Sequence, residues 1–411
     1  MNNIWFSEPL VARFHWVSED GLKLLTKYNN SHEIRTIPLM NVVHSFEDIS
    51  CSICFSPDSK YLAYSSESFF KILNLDDLDT FYLKLNSKVI KVLWNKRSSA
   101  VVFISDLELF TGVCDIINHK NFKLKGCSLD TLGKPLCSFS PNDDYFCTIS
   151  SQKLHVYCAK LWTLKIIINC YGVSMLKFIS PYVVFVAMNE SYRAISVLSA
   201  SKLIDKDCLP DHCVKDIAVS EKHLLACIAS YSNSLIIYET VSFKQLILIS
   251  CKFKLQISNA VNIWEEKHNR MCLKWIFNLD NLDFYIVKNF SDEHHAKNKK
   301  FITSFSHDGK FIAAYNPGIP DFVSIWSWSE DSPLKSIILV NNTEIKGLKW
   351  AKQNVLAIVG NNKIFFWHET SCTNIVLNDE VQFNWVNKGK CICTIGNNNI
   401  VQLVSVILKP I

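Results

Sequence analysis

One hydrophobic pattern recurs along the chain: two or three apolar residues ending in a bulky anchor, a polar turn, and a second apolar run. It is clearest in CSICFSPDSKYLAY (51–64), PLCSFSPNDDYFCTI (135–149) and FITSFSHDGKFIAAY (301–315). Weaker copies read VARFHWVSEDGLKLL, VIKVLWNKRSSAVVFI, VSMLKFISPYVVFVA, VKDIAVSEKHLLACI, IKGLKWAKQNVLAIV and VQFNWVNKGKCICTI. Apolar and polar positions in these runs alternate with sheet periodicity rather than helix periodicity. The anchors are Trp16, Phe55, Trp94, Phe139, Phe178, Val219, Phe305, Trp350 and Trp385, with successive spacings of 39, 39, 45, 39, 41, 86, 45 and 35 residues.

A four-stranded propeller blade repeats at ~40–45 residues. The pattern therefore predicts an all-β chain: a degenerate WD40-type β-propeller of about nine four-stranded blade units. They fall near 11–48, 51–87, 89–128, 135–171, 174–208, 214–251, 301–340, 345–377 and 381–408. Each anchor is expected to pack between neighbouring blades. The Ser-Pro-Asp type turn reverses the chain, because Pro presets φ and Asp or Asn tolerates turn conformations. The blades resemble WD40 repeats that have eroded: the Gly-His pair is missing, and Trp-Asp has become Trp-Ser in SIWSW (324–328) and Trp-His in FFWHE (365–369).

The doubled spacing marks an insertion at 252–300. Two strands are expected in it, at 260–264 and 282–287, forming a hairpin that protrudes between blades; a tenth, eroded blade is the alternative. The last unit is one strand short, and residues 3–7 are free to supply it, closing the ring.

Composition changes this picture in few places. A length of 411 residues suggests two or three domains, but the repeat consumes nearly all of it, leaving one enlarged propeller or two merged incomplete ones. Hydrophobic residues reach 49%, which excludes wholesale disorder. A net charge of +5, without a clustered basic face, does not point to nucleic acid. Only 11 glycines stand beside 34 asparagines. Asn29-Asn30, Asn361-Asn362 and the run at 397–399 therefore read as left-handed turns written with Asn. No signal-like leader and no ~20-residue apolar run appears. The expected protein is cytoplasmic, with no membrane partner, and its 16 cysteines stay thiols.

Candidate chemistry is sparse. There is no Walker loop, HExxH or GxSxG, so neither catalytic residues nor cofactors are expected. Cys51 and Cys54 have zinc-knuckle spacing but lack a second pair, and they alternate across a strand. Cys391 and Cys393 share a strand face without other ligands nearby. Cys208, His212 and Cys213 form the nearest thing to a cluster, and His294-His295 sit in a Lys-rich loop. No metal site is expected from any of them. Glu265-Glu266 reads as an acidic docking point or, more blandly, as a charged turn.

The order of units from 214 onward carries a family likeness. VKDIAVSEKHLLACIASYSNSLIIYETVSFKQL precedes an insertion holding VNIWEE. Then come ITSFSHDGKFIAAYNPGIPDFVSIWSW and the pair GLKWAKQNVLAIVGNNKIFFWHET and FNWVNKGKCICTIGNNNIVQL. This order, together with the opening WFSEPL, resembles the WD repeat-containing protein eight family of centrosomes and spindle poles. The resemblance implies a non-enzymatic scaffold at the microtubule-organising centre, such as the spindle pole body. Its partners there would be a coiled-coil anchoring protein and a minus-end-directed kinesin-14, and together they would anchor microtubule minus ends in the mitotic spindle. No family site residue maps onto this chain. From its own residues, the candidate partner-binding positions are Trp264, Glu265, Glu266, Trp275, Phe284 and Tyr285 of the insertion, against the plainer reading that they tether the hairpin. Rival readings are a translation-initiation-factor-type propeller on the ribosome, a propeller hydrolase and a generic WD40 complex subunit.

Overall fold

A computed structural model describes residues 3–407 apart from 7–9, 12–13, 29–30, 38, 48–51, 67, 107–110, 131–132, 190, 208–213, 231–233, 251–253, 258–260, 268–269, 277–281, 286–300, 317–321, 328–333, 341–342, 370, 378–380, 387–390 and 397–399. Strands make up 65% of the chain, and no helix occurs among the described residues. The architecture is all-β and built of many four-stranded antiparallel sheets, consistent with a β-propeller.

The chain divides into two compact units. One, Val11–Cys213 with Val241–Phe243, holds five four-stranded sheets, each made of consecutive strands. Their first and last strands are Phe14–Val17 and Val42–Glu47, Ser52–Phe55 and Thr80–Lys84, Val89–Trp94 and Lys120–Leu124, Cys137–Phe139 and Thr163–Asn169, and Val173–Ser180 and Lys202–Asp207.

The other unit, Met1–Leu10 with Val214–Thr240 and Lys244–Ile411, repeats the plan at Val214–Ser220 to Gln245–Ser250 and at Gly347–Trp350 to Ser371–Val376. A third sheet, Ile302–Phe305 to Leu334–Leu339, is enlarged to six strands. In a fourth, Val381–Val386, Cys391–Gly396 and Ile400–Ile407 take their next strand from the start of the chain. Asn3–Phe6 runs antiparallel to Ile400–Ile407, with Asn3 opposite Ile407 and Phe6 opposite Val404. The expected N-terminal pairing is therefore present.

Burial explains the strand compositions. Second and third strands are buried on both faces, as in Ala100–Ser105, Val183–Met188, Leu225–Ser230 and Phe322–Ser327. Continuous apolar runs suit strands covered on both sides. Clusters form between successive sheets: Phe70 stacks on Phe103 at 4.8 Å, joined by Ala63, Ile72 and Val92.

The Trp anchors do more than fill space. Trp94 Nε1 donates to the Cys54 carbonyl, Trp350 Nε1 to that of Ser304 and Trp385 Nε1 to that of Lys349, each at 3.1 Å. In every case the acceptor lies one residue before the preceding anchor. An indole N–H withdrawn from water usually finds a partner, and the repeat supplies one across each of these junctions.

The polar turns share one design. Ser18, Ser56, Ser140 and Ser306 each accept a backbone N–H five residues on, at 2.9 Å, namely those of Lys23, Tyr61, Tyr145 and Phe311. Each hydroxyl donates to the Asp or Asn two residues on: Asp20, Asp58, Asn142 and Asp308. The residue three after each Ser is left-handed: Gly21, Ser59, Asp143 and Gly309.

That left-handed residue also receives the turn before it. Asp58 N donates to Ser98 Oγ at 3.0 Å and Asp308 N to Asn354 Oδ1 at 3.2 Å. The N–H groups of Lys96 and Arg97 donate to the two carboxylate oxygens of Asp143 at 2.9 and 2.7 Å. At Gly309, φ is +73° and an added Cβ would lie 2.0 Å from the His223 ring, so only glycine fits.

The expected left-handed asparagines at 29–30 and 397–399 lie outside the described residues, and the expectation does not hold at Asn361 and Asn362. Among the described residues such φ angles fall on Ser, Leu, Asp and others, with Asn354 the one asparagine; Asn361 and Asn362 are not among them. At Ser98, Asp143 and Asn354 the cost of the conformation is offset by the hydrogen bonds just described.

Asp143 is the sharpest test of this junction. Asp143→Ala leaves two N–H groups without their acceptor and puts Ala at φ 61°. The expected loss is about 2–3 kcal/mol in urea unfolding. Asp143→Asn, which keeps an acceptor and tolerates the backbone, should lose less than half of that.

Candidate functional site

The insertion is built differently from the expectation. Among the described residues it holds four strands rather than two. Asn262–Lys267 pairs with Arg270–Ile276, and Lys254–Ile257 pairs with Leu282–Tyr285. The strand expected at 282–287 is present at Leu282–Tyr285, its last two residues lying outside the described ones, and it has another partner. The alternation in RMCLKWI marks the missed strand, which lies too close to Trp264 to be read as a separate element.

Nor does the hairpin protrude. Asn262–Lys267 lies parallel to the outer strand Leu334–Leu339, with Ile263 opposite Ile337 and Trp264 opposite Ile338. This pairing makes the six-stranded sheet. The covered strand is apolar and mostly buried.

Successive side chains of Asn262–Lys267 point to opposite faces, and both faces are covered. Ile263 joins Phe301, Phe322 and Ile337 in one core. Trp264, 2% exposed, joins Tyr315, Val323, Phe365 and Trp367 in the next. Among the described residues Trp264 Nε1 has no hydrogen-bond partner. The Asn262 carbonyl accepts from Ser336 Oγ at 3.0 Å, which itself accepts from Trp367 Nε1 at 3.1 Å.

The two carboxylates separate. Glu265 is partly exposed and pairs with Lys267 at 3.7 Å. Glu266 is 3% exposed and meets Lys363 Nζ at 2.7 Å, an ion pair joining the hairpin to the strand Lys363–His368 of the next sheet. Of the six candidate positions, then, Trp264 and Glu266 are interior and bind the hairpin to its own unit. Trp275, Phe284 and Tyr285 lie on strands whose side chains at these positions are outside the described residues.

Of the thiol candidates, Cys54 and Cys393 have described side chains. Cys54 is partly buried and its thiol is raised by desolvation. Burial pushes Cys393 up to about 12. Cys51, Cys208, His212, Cys213, His294 and His295 lie outside the described residues, as does the Cys391 side chain. No group of three or more His, Cys, Asp or Glu side chains placed to hold a metal occurs among the described residues. Among the described residues no helix is long and apolar enough to cross a membrane.

A surface feature missed in the sequence lies on the outer strands. Large apolar side chains stand exposed there in one sheet after another: Val43, Tyr82, Ile167, Leu203, Leu248 and Val376. Alternation within each fourth strand was the available signal. Compared with known proteins, the chain matches no family model and no curated relative.

Proposed function

We propose that the chain is a degenerate WD40-type β-propeller of about nine blade units, acting as a non-enzymatic scaffold at the spindle pole or centrosome. There it joins a coiled-coil anchoring protein and a minus-end-directed kinesin, and so helps to hold microtubule minus ends. The observation that carries the scaffold reading is the repetition of exposed apolar side chains on outer strand after outer strand, set on buried sheets. Helical and coiled-coil partners dock through such apolar anchors. The order of the units and of the insertion supports the choice of place and partners.

The test is a fluorescently tagged full-length chain followed through mitosis, with affinity purification of the same protein. Pole-associated foci and recovery of a coiled-coil protein with a kinesin-14 are the expected result. Diffuse signal at every cell-cycle stage overturns the assignment.

A further inference from the structure

We propose that the outer strand Thr163–Asn169 is a strand-addition site, taking an extended acidic segment of a partner protein as a fifth strand of its sheet. The molecule itself shows what such an occupant looks like. Asn262–Lys267 adds in parallel to the outer strand Leu334–Leu339, with Asn262 opposite Ser336 and Glu265 opposite Leu339. Among the described outer strands, Thr163–Asn169 alone repeats the sequence of that covered strand. Leu-Lys-Ile-Ile-Ile-Asn from Leu164 matches Leu-Lys-Ser-Ile-Ile-Leu from Leu334.

The likeness extends to the backbone. In each strand the lysine is the extra residue of a bulge. Leu164 lies opposite Tyr157 and Ile166 opposite Val156, as Leu334 lies opposite Trp326 and Ser336 opposite Ile325. Ile167, Ile168 and Asn169 therefore stand where Ile337, Ile338 and Leu339 do. A bulge twists an edge and commonly protects it from further pairing. Even so, the four residues after Lys335 carry the added strand, and the four after Lys165 offer the same ladder.

What differs is the cover. Leu334 and Ile337 are buried with Ile263 in one core, whereas Leu164 and Ile167 are 39% and 49% exposed. Thr163–Asn169 ends its sheet, and no further strand pairs with it among the described residues. An open edge with main-chain donors and acceptors beside unburied apolar side chains is the surface that strand addition uses.

Charge selects the occupant. No Asp or Glu lies between Asp144 and Glu190. Lys153 and Lys165 stand exposed in that stretch, as do Lys120 and Lys123 on the outer strand of the preceding sheet. At the end of Thr163–Asn169, Arg193 from the third strand of the following sheet donates from Nη1 to the Asn169 carbonyl at 3.4 Å. At the same end of the covered strand, Lys363, likewise on the third strand of the following sheet, meets Glu266. The site thus fits a segment that runs from apolar to acidic, as Ile263-Trp264-Glu265-Glu266 does. Two copies of the chain paired through this edge would instead bring like charges together, which is unfavourable.

The experiment titrates a fluorescein-labelled peptide, VNIWEEK (residues 261–267), with the purified full-length chain and follows anisotropy. Saturable binding to the wild type is expected. Ile167→Asp, at a half-exposed position, should leave the unfolding midpoint unchanged and weaken binding about tenfold or more, as loss of a central apolar anchor does. Arg193→Glu should weaken it as well, and should recover binding to a peptide with lysine at the Glu266 position; a merely structural role of Arg193 would not produce that exchange. Equal binding by wild type and Ile167→Asp would mean that the peptide replaces the chain's own hairpin on Leu334–Leu339, and overturns the proposal. So does equal binding of the two peptides by the wild type, or no binding at millimolar concentration. The charge exchange at Arg193 decides if Ile167→Asp does not fold. Measured in solution on the purified chain, the outcome is independent of the spindle-pole assignment.

Discussion

Lys363→Ala should destabilise the unit holding the six-stranded sheet by about 3–5 kcal/mol, because it takes the opposite charge away from the buried Glu266 carboxylate. Glu266 is 3% exposed and Lys363 Nζ lies 2.7 Å from it. The Lys363 side chain keeps 17% exposure, which places the expected loss toward the lower end. Glu266→Gln, which removes the charge but keeps polar atoms, should cost less. The double change Glu266→Leu with Lys363→Met should come close to neutral, since a buried pair of charges rarely outperforms well-packed apolar residues. Urea unfolding followed by tryptophan fluorescence measures all three. Equal losses from Lys363→Ala and from the double variant would show that the carboxylate is not the source of the effect.

This pair also shows where sequence reasoning stops. The repeat was legible because anchor, turn and strand are local: a Ser-x-Asp turn forms its own hydrogen bonds within six residues, as at Ser56 and Ser306. The N-terminal strand was legible because the last unit was visibly short of one. Pairing across sequence distance was not. Ninety-seven residues separate Glu266 from Lys363, and nothing in VNIWEEK says that its second glutamate turns inward.

The same limit hid the hairpin's real partner strand and its parallel seat on Leu334–Leu339. The turn-to-turn row was hidden for another reason: its acceptors are Ser98, Asp143 and Asn354, three residue types filling one left-handed position. A pattern of backbone shape leaves a blurred trace in side-chain identity.

Trp264→Ala carries the second large effect and separates the two readings of the insertion. A fully packed Trp removed from a core costs about 3–5 kcal/mol. Trp264 packs among Tyr315, Val323, Phe365 and Trp367, so the variant should show a strongly lowered unfolding midpoint. Trp264→Phe should be far milder. It keeps most of the ring contact, and the indole N–H it gives up has no partner among the described residues. Partner capture is then measured at a temperature where the Ala variant is still folded. Undiminished capture by folded Trp264→Ala assigns this residue to tethering alone, and docking must fall to other surfaces such as the outer strands. Lost capture with an unchanged midpoint would instead mean that the ring leaves the core to meet a partner. The burial of Trp264 against an outer strand favours the first result. The hairpin already occupies the edge of that sheet, whereas Ile167, Leu203 and Leu248 stand exposed on theirs.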